Sequence, residues 1–213
     1  MSTTTLQPTQ TNAWISPLRF RPFLDAKAGD HAQAVTLYEW NAQLAGALLE
    51  TFGHIEVLVR NAIHAQLRSG RPTNALRSWL LDPEVLANVE LKRVEEVVAR
   101  LKGAKKQATE DRVLAGLSMG FWTGILGRRY EELWRHTLRR AFPRGDGTRN
   151  QVAGYINRVV ALRNRVAHHE ALIADAVADR HDDALALAGT IDPQAKTWIG
   201  AISRVPTLLA ARP

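Results

Sequence analysis

The feature that most restricts this chain is a run from His31 to Arg68 in which apolar residues recur at helical spacing. Leu37, Tyr38, Ala45, Leu48, Phe52, Ile55, Val59 and Ile63 keep that spacing. They therefore fall on one side of a single long α-helix. Asp30 stands where an N-cap belongs, Ser69-Gly70-Arg71-Pro72 closes the run, and Gly46 or Gly53 is the place for a bend. A helix with so wide an apolar stripe has to be covered by other elements.

The rest of the chain supplies them. Ser16-Pro17 pairs an N-cap with a proline at the first helical position and opens a short helix that Gly29 closes. A turn of helix is expected around Leu76 to Leu81. Asp82-Pro83 then reads as a second cap for a helix reaching Leu101, whose Val94, Val97, Val98 and Leu101 follow helical spacing. Residues 103–109 form a basic loop. Residues 110–142 hold two helical pieces broken around Ser118-Met119-Gly120, the second amphipathic through Tyr130, Leu133, Trp134, Leu138 and Ala141. After the turn cluster 143–147, a helix starts near Thr148 with Val152, Ile156, Val159 and Val166 along one side. Segments 174–188 and 192–211 complete an all-α chain with no sheet.

Composition narrows the chemistry. Cysteine is absent, which excludes disulfides and thiolate catalysis and suits a reducing cytoplasm. The most apolar stretch, Val113 to Leu126, is too short to span a bilayer, so no membrane partner is expected. Residues 1–13 are rich in Thr, Gln and Pro and read as a disordered tail and not a signal peptide, leaving 14–213 as one helical domain. The formal charge is +7, and 22 of the 28 basic residues are Arg, the side chain suited to bidentate phosphate contacts. A polyanionic partner such as RNA fits that balance.

The motif with chemistry in it is Leu162-Arg163-Asn164-Arg165-Val166-Ala167-His168-His169-Glu170. A permanent cation can stabilise a crowded phosphate, and an imidazole can move a proton near neutral pH. No cofactor is needed for that, and no His/Asp/Glu set shows a metal-ligand spacing. The bare Arg-x4-His spacing is uninformative, since 22 × 7 / 213, about 0.7, is expected by chance. On one straight helix Arg163 and His168 lie about 140° apart, whereas Asn164 with His168, and Arg165 with His169, share a face. Two copies meeting across a two-fold axis are the simplest way to bring Arg163 and His168 to one phosphate.

Four blocks carry a resemblance: Ala34 to Asn41 (AVTLYEWN), Gly53 to His64 (GHIEVLVRNAIH), Leu114 to Trp122 (LAGLSMGFW) and Leu162 to Glu170. In this order and separation they resemble the Abi-like family, abortive-infection proteins of AbiD/AbiF type, within the HEPN superfamily. Two departures stand out. Ala171 and Met119 occupy positions where relatives often have Pro and Phe. The resemblance implies a HEPN-like helical bundle with additional helices and a homodimeric, metal-independent endoribonuclease that acts as a toxin in phage defence. Such a toxin would be restrained by a protein or RNA antitoxin. The implied catalytic pair is Arg163 and His168, with Asn164 beside them and His169 as the alternative histidine. Products would end in 2′,3′-cyclic phosphates. The alternative it implies is a non-catalytic RNA- or protein-binding module.

Three further sets remain open. Glu56, Arg60 and His64 stand at i, i+4 and i+8, a polar stripe that either orients Arg163 or His168 or is an ordinary internal ion pair with a histidine beside it. Arg128, Arg135 and Arg139 fall on one helical face and either track a phosphate backbone or are simply solvated. Trp40, Trp122, Trp134 and Trp198 sit in amphipathic patterns, which favours core or dimer packing over base-stacking platforms.

Overall fold

The computed structural model describes residues 6–69, 78–174 and 176–213, and every regular element among them is helical. The centre is α3 (His31–Arg68), which runs without a break past both Gly46 and Gly53. Asp30 caps it by accepting from the Gln33 amide at 3.0 Å, a bond that holds the Asp30 carboxyl below its usual pKa. Leu44, Leu48, Ile55, Val59 and Ile63 are fully buried along its length. Burial of each such side chain contributes about 1.5–3 kcal/mol, so the stripe and not helix propensity stabilises this element.

Around it pack α2 (Pro17–Ala26), α6 (Met119–Ile125), α8 (Arg149–Ala167), α9 (Val177–Ile191) and α11 (Val205–Ala210), and the buried apolar residues form one continuous cluster. α4 (Asn88–Gly103) packs on α6 and α5 (Glu110–Gly116) on α4, with α10 (Pro193–Ile202) lying on α9. The C-terminus is strapped to α3. Trp40 Nε1 donates to the Leu208 carbonyl at 2.6 Å, and Arg204 pairs with Glu50 at 2.8 Å. Among the described residues, no helix is long and apolar enough to cross a membrane.

The structure corrects several expectations. Residues 8–13 are no disordered tail: Pro8–Trp14 forms α1, and buried Thr11 meets His31 Nε2 at 3.0 Å. Residues 1–5 lie outside the described part, as do 76 and 77 of the turn expected before Leu81, whose remainder is a 3-10 turn at Trp79–Leu81. Asp82 opens a turn and not α4. Its carbonyl accepts from Val85 and Leu86 and its carboxylate from Glu84, so the helix begins only at Asn88. The expected helix 192–211 is split after Ile202, because Pro206 has no amide to continue the ladder. Trp40, Trp122 and Trp134 are buried, whereas Trp198 is 54% exposed with its ring edge-on to His54.

Candidate functional site

The motif region begins with α8 packing Val159, Leu162 and Val166 into the core, which leaves Arg163 and Arg165 half-buried and Asn164 exposed. The helix does not carry the two histidines. It stops at Ala167, His168 is the C-cap, and His169 takes φ +56°, the left-handed conformation that glycine usually fills there. The His169 amide donates to the Val166 carbonyl at 3.0 Å and the Glu170 amide to the Arg165 carbonyl at 3.1 Å, the paired bonds of a Schellman ending. Both histidines are exposed. The same-face pairing of Arg165 with His169 expected from a straight helix is therefore replaced: Arg165 binds the Glu170 carboxylate at 2.8 Å and the Ala171 carbonyl at 3.2 Å.

Remote residues hold this turn. Buried Asn41 of α3 accepts from the Leu172 amide at 2.8 Å and reaches the Glu170 carbonyl at 3.5 Å. Arg19 of α2 donates through Nη1 to the carbonyls of His168 and His169, at 3.3 and 3.4 Å. Neither residue was singled out by sequence reasoning. Arg19 lies 149 positions from His168, and only Asn41's place at the end of the first resemblance block hinted at a role. Between α2 and the turn lies an open cleft of about 600 Å³ onto which Arg19, Arg165, His168, His169 and Glu170 converge.

Arg163 is not among the residues lining that cleft, and among the described residues no hydrogen bond joins it to either histidine. Its electrostatic partner is Glu56. Burial pushes the Glu56 carboxyl above the usual carboxylate range, while Arg163, then Arg60, then a backbone hydrogen bond from Met119 pull it back. Glu56 thus accepts from the backbone of the first residue of α6 and lies in the field of Arg163. Arg60 donates to Asn61 at 3.3 Å. His64 accepts from Trp79 Nε1 at 3.2 Å, and burial holds its ring below the usual pKa.

The expected single basic face is broken into three pieces, a 3-10 turn (Arg128–Tyr130), α7 (Glu131–His136) and a second 3-10 turn (Leu138–Ala141). Arg135 is paired with Glu131 and Glu132, at 3.6 and 2.9 Å. Together with Arg139 it borders a second cleft of about 360 Å³, which Arg128 does not reach. Among the described residues no cluster of three or more His, Asp or Glu is placed to hold a metal ion. Family models, curated proteins and solved structures offer no match to this chain.

Proposed function

We propose that this chain is a homodimeric, metal-independent endoribonuclease of HEPN type, an Abi-like toxin acting in the cytoplasm and restrained by a protein or RNA antitoxin. The observation that carries the reading is the histidine turn. A left-handed non-glycine residue costs about 1–2 kcal/mol, and such strain persists where surrounding contacts over-determine it, most often at functional sites. Here Arg19, Asn41 and Arg165 provide those contacts, and both imidazoles still face solvent.

In the proposed reaction the RNA 2′-hydroxyl gives its proton to a base and attacks the adjacent phosphorus. The P–O5′ bond breaks, and the leaving oxygen takes a proton, giving 2′,3′-cyclic phosphate and 5′-hydroxyl ends. His168 moves a proton, with His169 as the alternative, and Arg163 stabilises charge on the non-bridging oxygens. Glu56, half-buried and in the field of Arg163, orients that guanidinium. Because Arg163 lies outside the histidine cleft of its own chain, the partner copy supplies it across a two-fold axis.

Cleavage of RNA in EDTA, with cyclic-phosphate ends, is expected of the purified protein and lost in Arg163→Ala and in His168→Ala. Mixing the two inactive variants should restore about a quarter of the activity, since half the dimers then hold one intact site contributed by both copies. No recovery on mixing refutes the shared site. RNA binding without cleavage by the unaltered protein leaves the binding-module reading in its place, which the separation of Arg163 from the histidines within one chain favours.

A further inference from the structure

The cleft beside the histidine turn is lined by side chains of two kinds. Arg19, Arg165, His168, His169 and Glu170 are polar, whereas Leu18, Pro22 and Ile173 are apolar, and Arg19 shares α2 with Leu18 and Pro22. Two guanidiniums stand against the single Glu170 carboxylate, so the cleft carries an excess of positive charge. Arg165 is engaged with Glu170 and Ala171, so its charge is largely answered. Arg19 is different. It is exposed, only its Nη1 has a partner among the described residues, and Nε and Nη2 keep N–H groups free to donate. Leu18, on the same helix, is 84% exposed, a large apolar side chain left uncovered at the rim.

We infer that this cleft is a nucleotide subsite for single-stranded RNA, in which Arg19 binds a phosphate next to the cleaved linkage and Leu18, Pro22 and Ile173 receive the attached sugar and base. A volume of about 600 Å³ lies within the usual range of small-ligand sites. The pairing of a forked cation with apolar side chains matches a nucleotide, which carries both a charge and a flat apolar face. An acidic peptide would satisfy the cation and leave the apolar side chains uncovered. Arg19 would then do two things at once: its Nη1 fixes the carbonyls of the histidine turn, and its remaining donors register the RNA against those histidines. The inference rests on the RNA reading above but not on the cleavage step.

The test uses a fluorescein-labelled twelve-nucleotide RNA with 2′-O-methyl groups throughout, which offers no nucleophile and so reports binding alone by anisotropy. Arg19→Ala should weaken Kd about tenfold and reduce the slope of log K against log salt by about 0.7, the value for one phosphate contact on a single strand. Arg19→Lys should keep the slope while recovering only part of the affinity, and Leu18→Asp should weaken binding with the fold intact by circular dichroism. Unchanged Kd and slope in Arg19→Ala, in a protein whose unaltered form cleaves RNA in EDTA, overturn the subsite and leave the nuclease reading standing. A labelled polyglutamate that binds as tightly as the RNA and loses as much on Arg19→Ala overturns the nucleotide assignment. Failure of the unaltered protein to bind the RNA at all removes both.

Discussion

The two ends of α8 are built in opposite ways. At the N-terminal end the capping bonds are local. Asp146 accepts from the amide and hydroxyl of Thr148, Thr148 accepts from the Gln151 amide, Gln151 accepts from the Asp146 amide, and Gly147 supplies the left-handed residue. Buried Arg149 adds bonds to Glu131, Asn150 and the Leu126 carbonyl. At the C-terminal end a histidine does what glycine would do, and the contacts that hold it arrive from α2 and α3. A terminus capped by its own neighbours engages those side chains with its own backbone. One held from behind can turn its side chains outward, and the energy of the borrowed contacts offsets the strain of presenting them.

Substitutions can break that contrast. The largest effect belongs to the N-terminal end: Arg149→Met removes three charge-assisted bonds and should cost about 3 kcal/mol in urea unfolding, a larger loss than any single change at the histidine turn. Asn41→Ala orphans the buried Leu172 amide and should cost about 2 kcal/mol. It should also depress RNA cleavage more than Thr148→Ala, which at about 1 kcal/mol removes only a cap. Equal activity in those two variants would mean that the turn needs no support from α3. His169→Gly should raise stability by about 1 kcal/mol as the left-handed strain is relieved, and a loss instead would show that the imidazole is held by contacts worth more than the strain.

The smallest effect concerns pH. Burial holds His64 and His181 below their usual value of 6.5, so the fold favours their neutral rings. Their contribution is complete above 6.5 and is lost as pH falls through the depressed folded values. Melting temperature should decline from about pH 7 to about pH 5, less so in His181→Gln. A flat profile in the unaltered protein would mean that neither buried ring resists protonation.

How much of this could be read in advance follows the same division. Asp30, Ser16 and Thr148 act as caps within three residues of themselves, and each was legible. So was the break before Met119, because Ser-Met-Gly interrupts the apolar period there. The end of α8 was not legible, since no glycine or proline follows Ala167 and the stopping force is a set of contacts 129 to 150 positions away. Asp82-Pro83 misled because the same dipeptide that caps a helix also opens a closed turn, and only the packing of Val85 and Leu86 into the core decides between them. Residues 8–13 misled by composition: a polar segment orders when one buried hydroxyl finds a partner such as His31. Of the candidate site, the motif residues were visible as types. Glu56 in the field of Arg163 matches one of the two readings left open for the polar stripe, and what could not be seen was that Arg19 and Asn41 serve the histidines.

Asn41 and Glu56 ride on one uninterrupted rod, about 22 Å apart at the rise of an α-helix. Inserting or deleting a single residue between them would swing one anchor by about 100° relative to the other. Neither partner could follow, because both belong to the same stretch of α8 and its turn. The exposed positions of that interval can thus change while its length stays locked, as the spacing of teeth is fixed between two gears on one shaft.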